Sequence, residues 1–368
     1  MFEFLKVKKN RFIGIDFGTS SVKVVELSYK EQKAFLENYG TVNLDKIGYE
    51  KQNSDQKKIS YEQKVNDAIK RLLAKMELKS GLTYLSIPGF SGLITIIELP
   101  EMQKEELAKA IQFEAHKYIP SSLDEIAMSW EIIEHVNNTN APLSQMLGKD
   151  IGGKKIKVLL VAAPKREIER YEGFVSGTKL NVAAIELETF SIVRSLVSED
   201  SGNFLIIDMG SRATNIILVE KGVVIVNRNI DAGGNEITTT ISESMNISKQ
   251  RAEDMKKGEK DFLNSKESYL VIPVLEFVAN ESKRILNAYK LKNKDARIDG
   301  VLLSGGTSKM KGLEEYFSNS LGTKVILGNP WRRIVAKDGA DVLIKNLGGS
   351  FTVALGLALR GLEEYKRK

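Results

Sequence analysis

No cysteine occurs in the 368 residues, which excludes disulfides, thiolate nucleophiles and cysteine-ligated metals. Histidine is nearly as scarce. His116 and His135 are the only two, too few for a histidine metal cluster, and each lies in polar or helical sequence that suits a solvated side chain. No apolar run approaches the roughly 20 residues needed to span a bilayer. The opening MFEFLKVKKN is apolar and basic but lacks the long apolar core and cleavage site of a signal peptide. A cytoplasmic protein is therefore expected. The net charge of +6 comes mostly from scattered lysines, with no Arg–aromatic stripe or reader motif that would favour nucleic acid. Hydrophobic content of 42% and charged content of 28% are ordinary for a globular chain, and the length suits two domains with inserts.

The residues present are more informative. Phe12 to Leu27 reads FIGIDFGTSSVKVVEL, an apolar run that breaks at Asp16, turns through Gly18-Thr19-Ser20 and resumes. Alone it would be an ordinary β-hairpin with turn residues bonding nearby backbone. Phe204 to Glu220, FLIIDMGSRATNIILVE, repeats the register: Asp16, Gly18 and Thr19 correspond to Asp208, Gly210 and Ser211. The two carboxylates lie 208 − 16 = 192 positions apart, and a two-fold repeat at that distance indicates two similar domains.

Between the hairpins, residues 46–60 read as a polar loop, and Tyr61 to Leu78 carries apolar residues at helical spacing. LTYLSIPG and GLITIIELP are strands, and Glu101 to Pro120 is a helix with an acidic start and a proline stop. DEIAMSWEIIE alternates as a strand, and Asn137 to Lys155 reads as a flexible hairpin insertion. KVLLVAAP is a buried strand, KREIERYEGFVSGTKL a helix closed by Gly177, and VAAIELETFSIVRSL a strand leading into a helix. After the second hairpin, Gly233-Gly234 opens a helix and Gly305-Gly306-Thr307 follows a strand. SFTVALGLALRGL has small residues on one helical face, which suits close helix packing better than membrane binding.

Glycine turns let backbone N–H groups approach an anion with no Cβ in the way, and flanking hydroxyls can donate as well. Gly18-Thr19-Ser20 and Gly210-Ser211 therefore suit phosphate oxygens. Bare carboxylates would repel those phosphates unless a cation intervened, so Asp16 and Asp208 make sense as ligands of Mg²⁺ through its waters. Two hairpins would clamp one polyphosphate from opposite sides. Gly233-Gly234 and Gly305-Gly306 would offer flat backbone to the sugar and base.

Glycine sites in this order resemble the actin-like ATPase superfamily. GIDFGTSSVKVVEL and LIIDMGSRATNIILVEKG are similar to its two phosphate motifs, AIELETFSIVRSL and FTVALGLALRGL to its connecting helices, and VLLSGGTSKMKGL to its adenosine motif. Within the superfamily the chain resembles the PilM family of type IV pilus assembly proteins, most specifically in SIPG followed by IIELPEMQKEELAKAIQFEAHKYIPSSLDEI. VLLVAAPKREIERY and RNIDAGGNEITTTISESMNISKQRAEDMKKG also fit it.

The resemblance implies an α/β fold: an actin-like, ribonuclease H-like two-domain ATPase with an inserted FtsA/PilM-type subdomain. The first domain would comprise residues 1–87, 180–200 and 346–368; the insert 88–179; the second domain 201–345, with a helical part at about 234–295. It implies ATP and Mg²⁺ as cofactors, with Asp16 and Asp208 as metal residues. ATP would lie against Gly18, Thr19, Ser20, Lys23, Gly210, Ser211, Thr214, Gly233, Gly234, Gly305, Gly306 and Thr307, bordered by Glu281 and Arg284 in ESKRIL. Glu188, with Glu186 second, matches the residue that positions water, although an acidic residue at a helix start also has a capping role. Turnover would be slow at most. The implied partner is the cytoplasmic tail of the inner-membrane protein PilN, held by the insert and keeping the chain at the inner membrane; self-association is also open. A small-molecule kinase and an FtsA-like division protein are the alternatives.

Overall fold

A computed structural model describes residues 10–44, 60–78, 81–119, 122–136, 154–197, 202–264, 270–293, 297–336 and 347–367. Nearly all of the expected loop at 46–60 and of the insertion at Asn137–Lys155 lies outside them. The chain divides into two compact units, residues 1–89 with 170–368, and residues 90–169.

The larger unit holds two sheets with the same wiring. In the first, β1 (Arg11–Phe17), β2 (Ser21–Lys30) and β3 (Lys33–Asn43) form an antiparallel meander, and β4 (Leu82–Ile87) and β8 (Asn181–Leu187) extend it in parallel on the β1 side. In the second, β9 (Asn203–Met209), β10 (Thr214–Glu220) and β11 (Val223–Ile230) form the meander, extended by β12 (Gly300–Ser304) and β13 (Val325–Leu327). A short β14 (Ile334–Val335) closes the outer edge of β3. The 192-residue repeat is therefore a repeat of topology. The central strands are apolar on both faces, with Phe12, Ile13, Ile15, Leu205, Ile206 and Ile207 fully buried, as expected where helices cover both sides of a sheet.

Two helices join the halves. α4 (Glu188–Leu196) follows β8 directly, and α9 (Thr352–Lys366) lies across β1 and α4. Glycines permit this approach: a Cβ on Gly14 would stand 1.9 Å from the Ala354 carbonyl oxygen, and one on Gly356 2.0 Å from that of Ser191. The small-residue face of the last helix is thus a packing face. Glu186 ties the crossing together, accepting from Ser191 Oγ at 2.6 Å and from the guanidinium groups of Arg194 and Arg360. The second-ranked water-positioning residue is committed to this network.

The larger unit resumes at Arg170. Tyr171 and Phe174 pack on Phe17, with ring centroids 5.4 and 5.3 Å away, and Asn66 Nδ2 donates to the carbonyls of Phe174 and Ser176 at 2.8 and 2.9 Å. Asn66 belongs to α1 (Tyr61–Lys75), which starts with a Ser60–Gln63 capping box.

In the smaller unit, β7 (Lys155–Pro164) is the centre of a three-stranded antiparallel sheet, with β5 (Leu93–Pro100) and β6 (Ile126–Val136) at its edges. α2 (Lys104–Ala115) covers one face, burying Leu107, Ile111 and Ala115 in a cluster with Ile97, Val158 and Leu160. Among the apolar side chains of this helix, Leu107 and Ile111 face the core, whereas Phe113 is 74% exposed.

Candidate functional site

The two hairpin turns meet. Thr19 Oγ1 and Ser211 Oγ are 2.7 Å apart, the equivalent hydroxyls of the two repeats in hydrogen-bond contact. The turns also share their local geometry: a Cβ on Gly18 would stand 2.9 Å from the Ser21 carbonyl oxygen, and one on Gly210 2.9 Å from that of Ala213. Strand register then fixes what lies behind each turn. Asp16 is opposite Lys23, and Asp208 is opposite Asn215.

Three buried carboxylates collect here. Lys23 Nζ lies 3.5 Å from Asp16 Oδ2. Burial nevertheless raises the Asp16 carboxyl above its ordinary value, against the opposing pull of Lys23 and a hydrogen bond from Ser86. Burial pushes Asp208 up to about 6; the negative charge of Asp16 adds to the rise, while Ser304, Lys23 and Asn215 oppose it. Glu188, first residue of α4, is pushed up to about 7 by burial and by the charges of Asp16 and Asp208, despite hydrogen bonds from Gly89 N–H and Asn215 Nδ2 at 2.9 Å each. Gathering three such groups with one nearby lysine disfavours their charged forms, an arrangement that invites a cation.

The donor set fits Mg²⁺ in a particular way. Among the described residues no group of three or more Asp, Glu or His side chains is arranged to hold an ion, so direct caging does not fit. Asp208 Oδ1, however, is buried with no hydrogen-bond partner among the described residues. A carboxylate oxygen left so is suited to a hydrated ion, which presents water hydrogens.

The later glycines pack against the second turn. Gly234 N–H donates to the Gly210 carbonyl at 2.9 Å, Asn235 N–H to that of Ser211 at 2.8 Å, and Thr307 Oγ1 to that of Gly210 at 3.1 Å. A Cβ on Gly234 would stand 2.4 Å from Thr307 Oγ1, and one on Gly305, whose φ is +86°, 2.3 Å from the Met209 carbonyl oxygen. Among the described residues nothing lies within 4 Å of where a Cβ on Gly306 would stand. Glu281, on α7 (Pro273–Lys292), pairs with Arg284 and with Arg228 of β11 at 3.5 Å each. Thr214 is fully buried and its hydroxyl donates to the Ala232 carbonyl at 2.8 Å, so at this end of β10 Asn215 is the side chain that reaches Glu188.

Sequence reasoning missed four contributors. Asn215 and Gly89 hold Glu188, Ser86 bonds Asp16, and Lys256 is buried on α6 (Lys249–Lys257), its Nζ donating to the Gly234 carbonyl at 2.8 Å. Asn215 could have been found: it stands at the repeat position of Lys23, 192 residues on. Lys256 had no such signal, since a lysine in a polar helix reads as a solvated face.

Duplicated sheets with facing hairpin turns, bridged by two connecting helices, define an actin-like fold. The solved PilM–PilN type IV pilus biogenesis complex shares it, with a TM-score of 0.75 at 22% identity over 95% of this chain and 98% of that one. MreB 5 of Spiroplasma citri bound to AMPPNP has a TM-score of 0.50 at 13% identity, covering 97% and 98%. The cell division protein FtsA of Streptococcus pneumoniae serotype 2 (strain D39 / NCTC 7466) is 21% identical over 360 residues, 87% of this chain and 75% of that protein. The family model for type IV pilus assembly protein PilM matches residues 14–362. The chain belongs to the PilM family.

Proposed function

We propose that this chain is a nucleotide-dependent scaffold of type IV pilus assembly. It binds ATP with Mg²⁺ where the two hairpin turns meet, and it holds the cytoplasmic tail of a PilN-type inner-membrane protein. The observation that carries the nucleotide half is the contact of Thr19 with Ser211 in front of Asp16, Asp208 and Glu188. Gly18, Thr19, Ser20, Gly210 and Ser211 would take the phosphates, with Lys23 beside them. Gly233, Gly234, Gly305, Gly306 and Thr307 would line the sugar and base, and Glu281 and Arg284 would border the adenosine. Asp16 and Asp208 would receive the waters of Mg²⁺, whose charge offsets that of the phosphates. The AMPPNP held by MreB 5 on the same fold supports this reading. Glu188 would face the terminal phosphate.

The partner half rests on family membership and on the PilN found with PilM in the related complex. The small unit suits peptide capture, since it presents two edge strands and the exposed Phe113, and an extended peptide adds to a free strand edge through backbone pairing. Among the described residues no helix is long and apolar enough to cross a membrane, so attachment to the inner membrane would come through the partner. The test is fluorescence anisotropy with a labelled tail peptide of the PilN-type protein, titrated with the full chain in Mg-ATP and in buffer alone. Binding that strengthens with Mg-ATP supports the scaffold reading; affinity unchanged by nucleotide removes the coupling, and no binding removes the partner.

A further inference from the structure

At the outer edge of the first sheet, three pieces of chain surround a recess of about 370 Å³. Lys33 comes from the start of β3, Arg333 from the residue before β14, and Glu363, Lys366 and Arg367 from the C-terminal end of α9. Ala34, Leu359 and Leu362, all buried, form its floor. Small-molecule sites run from about 300 to 1,000 Å³ and combine an apolar lining with a few charged groups. This recess lies far from the phosphate-binding turns. Lys33 pairs with Lys30 at one end of the β2–β3 ladder, whereas Ser21, beside the Gly18 turn, pairs at the other.

The recess carries four cations and one carboxylate, and the carboxylate is drawn elsewhere. Glu363 Oε2 lies 3.3 Å from Arg194 Nε on α4, while its Oε1 is 3.9 Å from Arg333 Nη1. The next acid on the helix, Glu364, accepts from Tyr84 Oη and Arg360 Nε at 2.9 Å each. Lys33, Lys366 and Arg367 are exposed and form no ion pair among the described residues. Lys366 Nζ instead stands over the Tyr29 ring, 5.1 Å from its centroid. Cations lining one recess repel one another, and an anion held among them relieves that repulsion. A phosphate monoester brings about −1.5 to −2 charge and three acceptor oxygens, which guanidinium groups take in pairs. A lone carboxylate brings a single charge. The apolar floor suits an organic body attached to the phosphate.

We propose that this recess is a second anion site of the chain, taking a phosphate group carried on a small organic body. The same chemistry is offered by a free phosphate ester and by the headgroup of an anionic phospholipid, and the experiment separates the two.

The full chain, with Mg-AMPPNP present to occupy the turns at Gly18 and Gly210, is titrated with glycerol 3-phosphate by calorimetry. In parallel it is floated with vesicles of phosphatidylglycerol and of phosphatidylcholine. Lys33→Gln/Arg367→Gln removes two charges of the recess, and Lys290→Gln/Lys324→Gln removes two exposed charges elsewhere. Losing two charge-assisted contacts should weaken binding by about tenfold or more, with the second pair of substitutions neutral. Should the first variant fail to fold, Lys366→Gln alone gives the same readout. Calorimetric binding of glycerol 3-phosphate supports the site and assigns a free ester. Flotation with phosphatidylglycerol alone, without glycerol 3-phosphate binding, supports it and assigns a lipid headgroup. A wild-type chain that binds neither probe overturns the proposal, as does binding unchanged in Lys33→Gln/Arg367→Gln. Equal weakening in both double variants also overturns it, since that marks diffuse attraction to the whole surface.

Discussion

Replacing Gly356 by alanine tests how the halves are joined. The new Cβ would stand 2.0 Å from the Ser191 carbonyl oxygen, 2.6 Å from its carbon and 2.8 Å from its Cα. Such contacts essentially never fall below 3.0 Å, so α9 and α4 must part by about 1 Å at their crossing. The obstacle is backbone, which no rotamer change can clear. The neighbours Val353, Ala354, Leu355, Leu357 and Ala358 are all buried, so α9 has little room to retreat. Overpacking costs about 1–3 kcal/mol and occasionally more, and a backbone clash places this variant at about 3 kcal/mol. At about 2 °C per kcal/mol for a large domain, the melting temperature should fall by about 6 °C. Gly173→Ala, within the helix Lys165–Phe174, is the matched control, because among the described residues nothing lies within 4 Å of its Cβ position and alanine is the better helix former. Scanning calorimetry on both variants decides. A Gly356→Ala protein melting within about 1 °C of wild type would refute the close crossing.

Two further outcomes follow from the same structure. Glu188 binds its proton more tightly when folded, at about 7 against an ordinary 4.5, so folding takes up protons and stability falls as pH rises between those values. The shift corresponds to about 3 kcal/mol at pH 8 in the nucleotide-free protein; Glu188→Gln should flatten the decline of urea-midpoint stability from pH 5 to 8, and an unchanged slope contradicts the burial argument. Phe113→Ser should leave the melting temperature unchanged, since the ring is 74% exposed, while weakening the tail peptide in the anisotropy titration. Equal peptide affinity would move the partner off this face of α2.

Much of the fold was legible because it is written twice. Asp16 and Asp208, Gly18 and Gly210, Thr19 and Ser211 share a register, and two like sequences must fold into two like hairpins. Burial on both faces of β1 and β9 showed in unbroken apolar runs. Long-range pairing was less legible. The contacts of Glu188 with Gly89 and Asn215 join residues 99 and 27 positions apart, and nothing local in ELETF distinguishes a residue aimed into the site from one capping a helix. Glu186 shows the difficulty: two residues earlier, equally acidic, it is taken by Arg194 and Arg360. The return to the larger unit at Arg170 was hidden similarly, because it depends on Tyr171 and Phe174 meeting Phe17, far back in the chain.

Binding of ATP with Mg²⁺ between two turns backed by Asp16 and Asp208 is the proposition on which the rest depends. Titration calorimetry of ATP into wild type, Asp16→Ala and Asp208→Ala, each with Mg²⁺ and with EDTA, puts it to the proof. Wild type should bind one-to-one, and binding should weaken strongly in EDTA. In both variants, checked as folded by circular dichroism, the Mg²⁺ dependence should be lost. Equal ATP affinity in all three proteins, indifferent to Mg²⁺, would show that the aspartates hold no metal for a nucleotide.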